Sequence, residues 1–102
     1  MQTEVSILHH DYPSSVRNVV TDKLEHLAHY FERVITLRAQ LECQHDEHRV
    51  ELVATVPRGA LLKVDSRANS LDEALDGALG RMKRVLAEHK AKLSKVTRRK
   101  TR

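Results

Sequence analysis

The sequence predicts an α+β fold: a two-layer sandwich in the order β-α-β-β-β-α, with a four-stranded sheet and two helices packed on one face. Two patterns carry this prediction. Between residues 35 and 68, apolar residues recur at every second position in three successive stretches, the period of half-buried strands. On either side, apolar residues recur at every third or fourth position, the period of amphipathic helices. A short alternating stretch at the N-terminus adds the first strand. At 102 residues the chain has room for one small domain and one core.

Taken in order, Thr3 to Leu8 is the first strand, with Val5 and Ile7 on one face. His9 to Ser15 is a turn, and Pro13 suits the first turn of the helix that follows, where a missing N–H costs nothing. Val16, Val20, Leu24, Leu27 and Phe31 then form the apolar stripe of a helix from Ser14 to Phe31, with Arg17, Lys23, His26 and Arg33 on its outer side. Ile35, Leu37, Ala39, Leu41 and Cys43 alternate with polar residues as a second strand. Gln44 to Glu47 is a turn. Val50, Leu52, Ala54 and Val56 make the third strand, Pro57-Arg58-Gly59 a second turn, and Leu62, Val64, Ser66 and Ala68 the inner face of the fourth. Both signs of charge on the outward positions suggest an antiparallel sheet with one side in water.

Ser70-Leu71-Asp72-Glu73 is a capping box. It opens a helix from about Leu71 to beyond Lys92, whose stripe is Leu71, Leu75, Ala78, Met82, Val85, His89, Leu93 and Val96. At about 1.5 Å per residue this helix exceeds 30 Å, against roughly 30 Å of sheet, so its C-terminal end should overhang. Residues 1–96 form the domain and residues 97–102 a basic tail expected to be disordered.

Charge is distributed very unevenly. The first 80 residues hold eight Lys and Arg against 13 acids, a balance of −5. Residues 81–102 hold ten against Glu88 alone, a balance of +9. Arg81, Arg84, Lys92 and Lys95 project on one flank of the apolar stripe, and Lys83 and Lys90 on the other. An ordinary exposed helix mixes signs in i,i+4 pairs. The missing counter-charge points to a polyanion, and the capped helix to one of fixed shape: nucleic acid. With two Tyr, one Phe and no Trp, and Phe31 in the core stripe, no strand offers paired aromatics for stacking bases. Contacts should go mainly to the phosphates of structured RNA.

Other chemistries find little footing. The single Cys43 allows no internal disulfide and reads as a small buried hydrophobe, poorly placed for a nucleophile. The pairs His9-His10, His26-x-x-His29 and His45-x-x-His48 lack the second Cys or carboxylate that zinc sites add. His89 reads as a packing residue with a polar tip. Only three glycines, at 59, 77 and 80, leave no phosphate-cradling loop, and Asp72, Glu73 and Asp76 suit a helix dipole better than a catalytic pair. No cofactor, metal or small-molecule substrate is expected, and no enzyme. Without a signal peptide, a membrane-spanning run or aromatic interface anchors, the chain is expected in the cytoplasm.

Two stretches carry a family resemblance. Val16 to Phe31, with Lys23-Leu24, Leu27 and Tyr30-Phe31, resembles the first helix of the ribosome hibernation promoting factor / ribosome-associated translation inhibitor A family. Leu75 to Leu93 resembles its second helix, with Asp76 after an apolar residue, basic residues at 81 and 84, and the ending His89-Lys90-x-Lys92. The strand order agrees, so the resemblance spans nearly the whole chain. Two departures are Leu8 to Pro13, where the family commonly has a glycine, and Glu88, at a position often basic.

The resemblance implies a non-enzymatic factor of the short form, monomeric off the ribosome, that binds the small ribosomal subunit at the subunit interface. There it would block the mRNA and tRNA sites and preserve idle ribosomes under stress. It implies that Lys23, Arg81, Arg84, His89, Lys90 and Lys92 face ribosomal RNA. The charge pattern adds Lys83, Lys95 and the tail residues Arg98, Arg99 and Lys100. Two alternatives remain, a general double-stranded RNA-binding domain and a protein-interaction modulator of transcription that works through its exposed sheet face.

Overall fold

The computed structural model describes residues 2–8, 12–31 and 33–100, with side chains to residue 92. Its elements are β1 (Gln2–Leu8), α1 (Ser14–Tyr30), β2 (Thr36–Gln44), β3 (Glu47–Val56), β4 (Ala60–Ala68) and α2 (Leu71–Lys100). They form the expected two layers, and the strands stand in the order β1-β2-β3-β4. The sheet is mixed, a correction to the antiparallel expectation: β1 pairs parallel with β2, while β2–β3 and β3–β4 are antiparallel. The reason is topological. Helix α1 carries the chain back along the sheet, so β2 starts at the same end as β1.

The period-two residues fill the space beneath the helices. Leu37, Leu41, Val50, Leu52 and Ala54 are fully buried, as are Val20 and Leu24 of α1 and Ala74, Ala78 and Met82 of α2. Burying a side chain the size of Leu or Val contributes about 1.5–3 kcal/mol, so the alternation itself holds the layers together. Three expectations shift. Ile35 lies ahead of β2 and is 49% exposed, because its neighbour Val34 takes the buried place. Cys43 is only half-buried. Leu86 and Ala74 join the α2 stripe as core residues, whereas Val85 is half-buried.

The turns follow their residues. His45 and Asp46 both adopt positive φ, 53° and 62°, with Gln44 paired to Glu47, as in a two-residue hairpin whose twist matches the strands. Gly59 takes φ 77° in the second turn. Pro13 stands at the N-cap of α1, one position before its first turn. The Ser70 hydroxyl caps α2 by accepting the Glu73 N–H at 3.2 Å.

Each free edge of the sheet is touched by the helix above it. Arg17 of α1 donates to the Val5 carbonyl on β1, and Arg81 of α2 donates to the Asp65 carbonyl on β4. Gly77 brings α2 hard against β4: a Cβ there would collide with the Ser66 hydroxyl and lie 3.3 Å from Ser66 Cβ. The helix backbone continues to Lys100, into the stretch expected as a loose tail. At about 1.5 Å per residue, 30 residues extend roughly 45 Å, more than the nine residues of β4 can underlie. Among the described residues, no helix is long and apolar enough to cross a membrane.

Candidate nucleic-acid interface

Helix α2 holds most of the residues expected to meet RNA, and its cap and core stripe fix where they point. Met82 and Leu86 are buried, which turns Lys83, Arg84, Lys90 and Lys92 outward, and all four are exposed. Arg81 is exposed as well, but its guanidinium is committed to Asp65 on the edge of β4. His89 is half-buried, with Nε2 in the interior and no hydrogen-bond partner among the described residues. The polar tip expected to face outward is therefore turned in at that atom. The side chains of Lys95, Arg98, Arg99 and Lys100, like those of Leu93 and Val96, lie outside the described residues, as do residues 101–102 of the tail.

Lys23 is on α1 and reaches across to α2, where its Nζ stands 3.4 Å from Asp76 Oδ1. The helices run parallel. Antiparallel pairing of β2–β3–β4 leaves β4 parallel to β2, and the contacts of Gly77 with Ser66 and of Arg81 with Asp65 show α2 running back along β4. Helix α1 likewise runs back along β1. It packs on β1 and β2 while α2 packs on β3 and β4, so a cleft of about 360 Å³ opens between them. Leu27 and Leu79 line it together with Asp22, Lys23, His26, Asp76 and Lys83.

The far side of the sheet is electrostatically different. Arg49 lies between three carboxylates, with Nη1 3.3 Å from Glu42, Nη2 3.2 Å from Glu51 and Nε 3.2 Å from Asp65. The hydrogen bonds it donates to Asp65 and Glu42 hold its guanidinium above the ordinary arginine value, against a smaller opposing effect of burial. Lys63–Glu51, Arg67–Glu47 and Arg38–Glu4 pairs at 3.5–3.7 Å occupy the same face. Charge on the open sheet is matched internally. Lys83, Arg84, Lys90 and Lys92 have no ion-pair partner among the described residues.

At the hairpin end, the Tyr12 hydroxyl and His48 Nδ1 are 2.7 Å apart, and His48 Nε2 is 3.8 Å from Cys43 Sγ. Burial, reinforced by nearby Cys43, pushes the Tyr12 phenol up. No group of three or more His, Cys, Asp or Glu side chains gathers as a metal site among the described residues; His9 and His10 lie outside them. His26 and His29 instead make edge-on contacts with Tyr30, at centroid distances of 5.3 and 6.2 Å. The apolar stripe of α1 accounts for Phe31 and leaves Tyr30 without a surface role, so this exposed aromatic group is not among the residues expected at the site. Its signal was the spacing of Lys23, His26 and Tyr30, which share one helix face.

A family model described as sigma 54 modulation protein / S30EA ribosomal protein matches residues 3–94. A ribosomal subunit interface protein from Coxiella burnetii superposes with a TM-score of 0.80 at 13% identity, covering 89% of this chain and 99% of that one. The N-terminal domain of Protein Y from Thermus thermophilus superposes with a TM-score of 0.73 at 21% identity, covering 84% of this chain and 94% of that domain. No match was found among curated proteins. At these identities the superpositions show a shared fold.

Proposed function

We propose, from the premise that this chain belongs to the sigma 54 modulation protein / S30EA ribosomal protein family, that it is a ribosome-associated inhibitor of translation. It binds the small subunit at the subunit interface under stress and blocks the mRNA and tRNA path by occupying it. The mechanism is steric and electrostatic: the body fills space, and α2 holds it to ribosomal RNA phosphates. The protein acts in the cytoplasm, alone until it meets the ribosome, and performs no chemistry of its own.

One observation carries this reading. The cations of α2 stand unpaired on a capped helix packed into the core, while those of the open sheet are neutralised by their neighbours. A fixed array of cations without ion-pair partners, on both flanks of the apolar stripe, suits a structured polyanion. The family description, the name of one structural neighbour, a ribosomal subunit interface protein, and the resemblance of both helices to hibernation factors support the ribosome as that polyanion.

The test is co-sedimentation with ribosomes, small subunits and free RNA duplex across a salt series. Neutralising about five phosphates should cost roughly two orders of magnitude in affinity between 50 and 200 mM salt. The protein should track small subunits, compete with tRNA, and halt translation in an extract. Lys83→Glu, Arg84→Glu and Lys92→Glu together should release it without changing its thermal melt. Arg81 is left out, because it also holds the edge of β4. A salt-independent affinity, or equal binding to any duplex, would sink the proposal.

A further inference from the structure

Helix α1 carries a second stripe, distinct from the one it buries. Val19, Lys23, His26 and Tyr30 fall within about 60° of arc at 100° per residue, roughly a quarter turn from Val20, Leu24 and Leu27. Val19 is 47% and Tyr30 61% exposed, the latter the second most exposed large hydrophobic side chain among the described residues. The stripe faces α2, since Lys23 and His26 line the interhelical cleft. The offset of 53 residues that joins Lys23 to Asp76 also puts Lys83 about level with Tyr30, because parallel helices rise equally. Solvent therefore meets an aromatic ring beside a cation at one end of the cleft.

Tyr30 is accessible by its exposure of 61%, and His26 and His29, at 82° and 78° to it, are not stacked parallel on its ring. The cleft itself is close to neutral: Asp76 offsets Lys23, and Asp22 balances Lys83. A pure phosphate track would not carry two acids. An aromatic ring at the end of a neutral cleft suits the flat face of a nucleobase, and the exposed α2 cations from Lys83 onward stand on one side of it to meet the adjoining phosphates.

We infer that Tyr30, backed by His26 and opposed by Lys83, is a stacking subsite for an unpaired base of RNA. The inference rests on the RNA-binding reading above and divides the molecule's work in two. Lys83, Arg84, Lys90 and Lys92 hold phosphates in a salt-dependent way, and Tyr30 adds a contact that needs a single strand and depends little on salt. Stacking is indifferent to base identity, so the subsite distinguishes unpaired from paired RNA without reading sequence.

Fluorescence anisotropy with a labelled oligouridine and a labelled RNA hairpin stem, each across a salt series, tests this on the full chain. Tyr30→Ala should weaken oligouridine binding about tenfold, leaving the salt slope and the affinity for the stem unchanged. Tyr30→Phe should stay within about twofold of wild type, and Tyr30→Leu, which keeps bulk but not the ring, should behave like Tyr30→Ala. In a Tyr12→Phe background Tyr30 is the only tyrosine, and oligouridine should quench its emission where the stem does not. Unchanged oligouridine binding by Tyr30→Ala and Tyr30→Leu, or equal loss for both RNAs, overturns the subsite. If the Lys83, Arg84 and Lys92 reversals still abolish binding, the functional reading survives that result. A wild-type chain that binds neither RNA overturns the subsite alone, and co-sedimentation with small subunits decides the functional reading separately.

Discussion

With Met82 and Leu86 buried against the sheet, the charged side chains between them and on to Lys92 of α2 are left to solvent. The outward cations Lys83, Arg84, Lys90 and Lys92 could be placed from 100° per residue, since a helix with a clear apolar stripe leaves one solution for its other face. Arg81 obeys the same arithmetic, yet its guanidinium rests on a backbone carbonyl of β4. No side-chain pattern announces that acceptor, because every residue offers the same group. His89 sits beside the stripe, and only packing decides that Nε2 is buried; leaving such an atom unpaired costs about 1–3 kcal/mol. Tyr12 supports a pH prediction. Its phenol is raised, by burial first and Cys43 second, so the folded state holds that proton more tightly than the unfolded chain does. The resulting stability is complete below the usual tyrosine value of about 10 and is lost as pH rises through the higher folded value. In a Tyr30→Phe variant Tyr12 is the only tyrosine, and absorbance titration should show phenolate forming at higher pH in the folded protein than in denaturant. Coincident curves would remove the effect.

At the scale of elements, all six were legible because each has an unbroken period, and the boundaries moved by a few residues at most, the largest shift being α2, which runs to Lys100 into the expected tail. The parallel pairing of β1 was not legible. A strand's sequence specifies which face is buried, whereas its direction beside a neighbour follows from how the intervening helix returns the chain. Helix α2 contains two glycines that look alike in sequence and differ in space. Gly77 touches Ser66, while a Cβ at Gly80 would meet nothing within 4 Å. Gly80→Ala should therefore stabilise the protein by about 0.5–1 kcal/mol through helix propensity alone. Gly77→Ala gains the same propensity but must push α2 off β4, and should cost about 1–3 kcal/mol net. Ser66→Ala should recover part of that loss, as contacting residues couple in a double-mutant cycle. Urea denaturation of the four variants reads all three terms, and equal effects at 77 and 80 would show that the close approach is relaxed at no cost.

For the whole molecule, two layers and a basic pole could be read from the chain, but the cleft could not. It arises because each helix covers its own pair of strands, an outcome of sheet width and topology more than of any local signal. The candidate site is accordingly split in legibility: the outward placing of the α2 cations was predictable and the ridge around Tyr30 was not. The arginines at the two sheet edges have a consequence for the protein at high concentration. A free strand edge is a template on which another chain can add. Here Arg17 and Arg81 each occupy one outward carbonyl, so an incoming strand would first have to displace a charged side chain from each edge it uses. The Arg17→Met, Arg81→Met double variant should then form concentration-dependent oligomers by light scattering, where wild type does not. A double variant that scatters like wild type would leave both arginines with no part in keeping the edges closed. If association does appear, Arg81 holds the protein apart from its own copies, a task separate from the RNA contact proposed for its neighbours on α2.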